Sequence, residues 1–172
     1  MQEEMNDVVD TGTVRAPVSD WTTAALAHTS VLLTVVLGVA GGIGWLVGPA
    51  VALAIYFGYR DKSRFVAFHA MQSCIYQVAG VVLYVILGAV LGACVAAAWS
   101  VSGALAVVLV GLLLMPFALL LTLLMVLVLV CAPFVWLGYG LYAAYQVYQG
   151  RDFRYRLVGD FVEREVKSDA RT

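Results

Sequence analysis

Between residues 65 and 150 the chain carries no Asp, Glu, Lys or Arg. A soluble domain could not keep so long a stretch without charged surface somewhere along it. An α-helix crosses the ~30 Å hydrocarbon layer in about 20 apolar residues. The stretch therefore holds more than one crossing, and the fold class is an all-α polytopic membrane protein.

The remaining charge is segregated. Of the 172 residues 63% are hydrophobic and 12% charged, about half the charged share of a soluble domain. Residues 1–20 form an acidic tail, expected to be disordered, with Glu3, Glu4, Asp7, Asp10 and Asp20 against a single Arg15. This start lacks the basic region of a secretory signal, so the first apolar segment is expected to remain as a span. Arg60, Asp61, Lys62 and Arg64 make one short loop, and every other charge follows Gly150. Cys74, Cys94 and Cys131 sit in apolar stretches at spacings that fit no metal or redox motif.

Gly41, Gly42, Gly44 and Pro49 interrupt the first apolar region, which predicts two short helices over 22–40 and 43–59. A third is predicted over 66–98, ending at an aqueous turn marked by Trp99, Ser100, Ser102 and Gly103. The last apolar region, 104–149, is long enough for two crossings, and charge decides between the readings. Cytoplasmic loops are enriched in Lys and Arg. The loop with Arg60, Lys62 and Arg64 and the tail with Arg151, Arg154 and Arg156 should then face the same side, which requires an even number of crossings between them. The reading is four spans, the last over 117–148, with both termini cytoplasmic in a prokaryotic plasma membrane; a five-span chain would put the basic tail outside. Tyr56, Phe57, Tyr59, Phe65 and Phe68 cluster toward the basic side, with Tyr139, Tyr142, Tyr145 and Tyr148, while Trp45 and Trp99 mark the other, as interfacial aromatic belts do.

Small residues let helices approach closely in lipid. Ala40, Gly44, Gly48 and Ala52 form one such stripe, and Gly80, Gly88, Gly92 and Ala96 another. Polar side chains in a bilayer cost free energy unless partnered. His69, Gln72, Ser73, Tyr76 and Gln77 fall on one helix face, and His28 on the first span should lie at the same depth. The polar cluster of His28, His69, Gln72, Ser73, Tyr76 and Gln77 is read first as a hydrogen-bonded clamp between spans. A proton-sensitive pocket, or the lining of a small channel or carrier, is the sharper alternative. Two His without a nearby acid or thiolate make a poor metal set, so no metal and no cofactor are expected.

No catalytic constellation stands out. There is no acid within the spans, no phosphate loop, and the Gly41-Gly42-Ile43-Gly44 run lacks the surrounding strand of a dinucleotide fingerprint. The chain is read as not an enzyme. After the last span Gly150 can end the helix as its C′ residue. Phe153 and Tyr155 alternate with Arg154 and Arg156, which suits aromatics in lipid and guanidinium groups at phosphates, or else a partner. Arg60, Lys62, Arg64, Arg151, Arg154 and Arg156 are thus candidate contacts to lipid headgroups or a partner. Asp152, Asp160, Glu163 and Glu165 offset the bases, which argues against nucleic acid. The expected partners are the lipid bilayer and other membrane proteins or a second copy.

Three segments together, Leu26-Ala27-His28-Thr29-Ser30, Arg60-Asp61-Lys62-Ser63-Arg64-Phe65-Val66 leading to Phe68-His69-Ala70 and Tyr76-Gln77, and Gln149-Gly150-Arg151-Asp152-Phe153-Arg154-Tyr155, carry a resemblance. The chain resembles the bacterial four-helix membrane family related to the Tic translocon subunit of about twenty kilodaltons in the chloroplast inner envelope. The resemblance implies four helices and a structural or interaction role in protein translocation or membrane assembly.

Overall fold

The computed structural model describes residues 17–41 and 43–155. Most of the acidic tail, and the basic tail from Arg156 onward, lie outside the described residues. The described chain is helical and contains no strand. In order it forms α1 (Val18–Thr29), α2 (Val31–Val39), a 3₁₀ turn (Gly44–Leu46), α3 (Val47–Tyr59), α4 (Arg64–Leu105), a second 3₁₀ turn (Ala106–Val108) and α5 (Val110–Tyr148).

Among the described residues three helical segments are long and apolar enough to cross a membrane: Val18–Val39, Arg64–Val108 and Val110–Tyr148. The segment Gly44–Tyr59 is apolar but shorter. Pro49 sits in the first turn of α3, where its missing N–H has no helical partner to lose.

Ser63 starts α4. Its backbone is extended, and its hydroxyl accepts from the Val66 N–H at 3.4 Å. The same hydroxyl donates to Asp20 Oδ2 at 2.5 Å, which fastens the start of α1 beside the start of α4. Ser63→Ala should lower stability by about 1 kcal/mol, as loss of an N-cap does. The check is chemical unfolding in detergent micelles, and an unchanged midpoint would remove the cap from the account.

Two expectations change on the distal side. The aqueous turn expected at Ser100, Ser102 and Gly103 is helix, and the chain reverses instead at Leu109, whose φ is 65°. Ser102 does not need water, because its hydroxyl donates to the Ala98 carbonyl at 2.8 Å within the helix. The last helix starts at Val110 rather than near Phe117 and runs through Pro116.

The core sits at the end of the bundle that carries Arg60 and Arg64. Ala27, Tyr56, Ala67 and Ala70 form one buried group, and Ala24, Ala25 and Val147 another, with Phe65 and Phe153 against it. Alanine dominates because only small side chains let the backbones come this close. The two small-residue stripes divide accordingly. Gly48 lies against Thr34, Gln77 and the Ser30 carbonyl, Gly44 against Leu37, and Gly80 against the Trp136 indole, whereas Gly92 faces nothing within 4 Å.

Candidate functional site

The polar side chains of α1, α2 and α4 meet in two layers. The deeper layer centres on Gln77, which is fully buried. Its Oε1 accepts from Thr34 Oγ1 at 2.6 Å. Its Nε2 donates to Ser30 Oγ at 2.9 Å and Ser73 Oγ at 3.0 Å. Ser73 and Ser30 both donate to the Ala27 carbonyl, each at 2.7 Å. That carbonyl and Ser30 lie at the junction of α1 and α2, so the junction is tied to α4.

The second layer holds the two histidines. His28 Nε2 lies 3.3 Å from His69 Nδ1, and both side chains are buried. The outer nitrogen of each ring faces the chain beyond α5. His28 Nδ1 lies 3.3 Å from the Tyr155 hydroxyl, and His69 Nε2 lies 3.5 Å from Asp152 Oδ1. That last separation is in ion-pair range without hydrogen-bond geometry, so His69 Nε2 has no hydrogen-bond partner.

The directions in this row follow from its ends. An ionised carboxylate only accepts. Burial, with Tyr76 and Tyr139 nearby, pushes the Tyr155 hydroxyl above its ordinary range, so it keeps its proton and donates. With His28 and His69 neutral, one arrangement is consistent along the row: Tyr155 donates to His28 Nδ1, His28 Nε2–H donates to His69 Nδ1, and His69 Nε2–H points toward Asp152 without completing a hydrogen bond.

Tyr155 reaches this position because α5 ends in a Schellman turn. Gly150 adopts φ 74°, its N–H donates to the Val147 carbonyl at 2.9 Å, and the Arg151 N–H to Gln146 at 3.1 Å. The chain then runs back along the bundle. In the amide orientation that satisfies both its ends, Gln72 donates to the Phe153 carbonyl and accepts from the Tyr155 N–H, each at 3.2 Å. The Tyr155 ring stacks on Tyr76 with centroids 4.2 Å apart and planes 2° from parallel. Phe153 meets Tyr139 and Tyr142 edge-on, while the Tyr76 hydroxyl donates to the Trp136 carbonyl at 2.7 Å.

All six residues of the expected polar cluster, His28, His69, Gln72, Ser73, Tyr76 and Gln77, therefore lie in or beside these two layers. Sequence reasoning missed Tyr155, Asp152, Thr34 and Ser30. It also aimed the tail outward: Phe153 and Tyr155 pack against protein, not lipid, because Gln72 and Tyr76 offer a backbone partner and a stacking face. The bases stay at the surface. Arg151 donates to Gln146 Oε1 at 2.9 Å, Arg154 pairs with Asp152 at 3.2 Å and covers the Phe68 ring, and Arg60 pairs with Asp61 at 3.5 Å. Lys62 lies over Tyr59, and Arg156 is outside the described residues. Among the described residues no group of three or more His, Cys, Asp or Glu could hold a metal ion.

A cavity of about 540 Å³ lies apart from the histidines, lined by apolar groups including Val39, Trp45, Tyr84, Pro133 and Trp136. The polar layers themselves are filled by one another and by the returning tail.

Comparison with known proteins corrects the resemblance read from the sequence. A family model described as the magnetosome magnetite crystal formation protein family matches residues 19–162. The match covers the same helices and tail that carried the likeness to the Tic subunit, and so displaces it. The translocation role implied by that likeness loses its support. No curated protein and no solved structure matches the chain.

Proposed function

From the membership of this chain in the MamF/MmsF magnetosome magnetite crystal formation family, we propose that it is a non-enzymatic subunit of the bacterial membrane around a forming magnetite crystal. It crosses that membrane four times with both termini in the cytoplasm. Its part is structural: it holds a rigid bundle that organises other membrane proteins.

The observation that carries this reading is the closed polar cluster. Gln77, Ser30, Ser73 and Thr34 spend their hydrogen bonds on one another, and the two His face the chain's own Tyr155 and Asp152. Such a cluster ties helices together and offers no reactive group to a substrate. The distal turns support an organising role over direct mineral contact. Residues 40–46 and 103–112 contain no charged side chain, so the face opposite the basic loops presents no carboxylate to iron. A channel lined by His28, His69, Gln72 and Gln77 is the competing reading, and the seated tail argues against it.

The test has two arms. Deleting the gene from a magnetite-forming host should alter crystal size or number, with rescue by the intact gene; unaltered crystals would overturn the reading. In liposomes the purified protein should carry no proton or iron flux, whereas flux abolished by His69→Ala would establish the channel instead. Protease protection should place Lys62 and Arg151 on one side of the membrane.

A further inference from the structure

The deeper polar layer, built from Gln77, Ser30, Ser73 and Thr34, holds no acid and no base. The layer beside it holds two imidazoles, His28 and His69, with 1% and 0% of their surface exposed. Imidazole is the side chain that gains charge closest to neutral pH. The row these rings form is already full of hydrogens. Its three gaps, Tyr155 to His28, His28 to His69 and His69 to Asp152, contain one hydrogen each. The ring nitrogens that carry none, His28 Nδ1 and His69 Nδ1, both face a donor. A proton added to either therefore sets two hydrogens against each other across 3.3 Å. Beside Tyr155 the hydroxyl can turn away, at the loss of its bond to His28. Between the two rings no group can turn.

A buried imidazolium needs a counter-charge or water. The helices around the pair supply neither. On α1 the acid is Asp20, which is bonded to Ser63. Helix α3 brings Tyr56, packed with Ala27 and Ala70. Helix α4 sets the rings of Phe65 and Phe68 edge-on to His69, with centroids 4.5 and 5.3 Å away, and Tyr76 against Tyr155. Helix α5 brings Tyr139 against Tyr155. The tail brings the nearest charges. Asp152 is an anion 3.5 Å from His69, and Arg154 is a cation that already takes Asp152 at 3.2 Å. The tail is also the part that can yield. Gln77, Ser73 and the Ala27 carbonyl join α1 to α4 without a titrating group. Residues 151–155 are not helical, and are seated through Gln72, the Tyr76 stack and the row itself.

We propose that residues 151–155 are a latch opened by a proton on the His28–His69 pair. Seated, the tail seals two neutral imidazoles from water. Once a proton is added, the tail leaves and the imidazolium reaches solvent, while the layer around Gln77 keeps the helices together. The released state binds more protons than the seated one. Release is therefore favoured as pH falls, by about tenfold per pH unit for each proton taken up. It bares Gln72 and one face of Tyr76. The latch does not depend on which membrane the bundle serves, and so goes beyond the proposed function.

The test labels the full chain with fluorotyrosine in a nonionic detergent and follows the fluorine resonance of Tyr155, identified by its loss in Tyr155→Phe. The Tyr76 ring, parallel and 4.2 Å away, gives the seated ring a displaced resonance. As pH falls from about 7.5 to about 4.5, through the range where imidazole titrates, that resonance should give way reversibly to one at the solvent position. The resonance of Tyr84, whose hydroxyl is bonded to the Leu129 carbonyl, should stay where it is. Asp152→Asn should raise the midpoint by about one pH unit, because the imidazolium loses the anion beside it. His28→Gln combined with His69→Gln should remove the pH dependence. A Tyr155 resonance that holds its position over this range, or that moves at the same pH in the double variant, would overturn the proposal. So would loss of the pH dependence in Asp152→Asn, which would put the proton on Asp152. Tyr84 moving together with Tyr155 would overturn it too, acid then unfolding the whole bundle.

Discussion

Replacing Gly48 by valine should cost the bundle about 3 kcal/mol, a change of more than a hundredfold in its folding equilibrium. A Cβ at Gly48 would run into Thr34 Oγ1, Gln77 Oε1 and the Ser30 carbonyl. These are fixed points and not flexible ends: Thr34 and Gln77 are bonded to each other at 2.6 Å, and both are buried. The side chain therefore has to break the deeper polar layer or push α3 away from α2 and α4. Overpacking alone costs about 1–3 kcal/mol, and each intramembrane hydrogen bond lost adds roughly 0.6 kcal/mol. Gly58 on the same helix supplies the control, since nothing lies within 4 Å of a Cβ there. Gly58→Val should leave the unfolding midpoint within a few tenths of a kcal/mol, as surface substitutions do. Equal effects from the two variants in detergent-mediated unfolding would show that the layer around Gln77 is not what holds α3 in place.

The parts of this arrangement that could be read from the sequence are those with a local signal. The face carrying His69, Gln72, Ser73 and Gln77 is visible because helical spacing brings i, i+3, i+4 and i+8 together, and charge placement put His28 at the same depth. Gly150 as the end of α5 is equally local, since a positive φ at C′ favours glycine. The course of the tail was not legible. Tyr155 meets His28 across 127 positions of sequence, and alternating aromatic and basic residues fit a lipid interface as well as a protein groove. Ser100 and Ser102 misled for a different reason. In lipid a serine hydroxyl can donate to its own helix four residues back, so a pair of serines need not mark an aqueous turn. The family resemblance erred because its short motifs are packing and capping residues, which report how helices fit and not what the bundle serves.

Tyr155→Ala should release the tail and destabilise the end of the bundle by about 3–4 kcal/mol, the range for truncating a buried aromatic. Tyr155 is 3% exposed, and its ring fills the space between Tyr76 and Tyr139. Its hydroxyl is also the donor that ends the histidine row, so its loss leaves His28 Nδ1 buried beside a void. Tyr155→Phe separates these contributions. It keeps the stack and the Gln72 contacts to the tail backbone but removes the donor, and should cost about 1 kcal/mol. The readout is trypsin cleavage at Arg151 and Arg154 in detergent, because a seated tail holds its backbone against Gln72 while a released one is open to the protease. Alanine should speed cleavage at least tenfold and phenylalanine only slightly. If both variants are cut as slowly as the wild type, the tail is held by its surface contacts, Arg154 over Phe68 and Arg151 at Gln146. If phenylalanine is cut as fast as alanine, the hydroxyl at His28 outweighs the stack, and the histidine row is what keeps the tail in place.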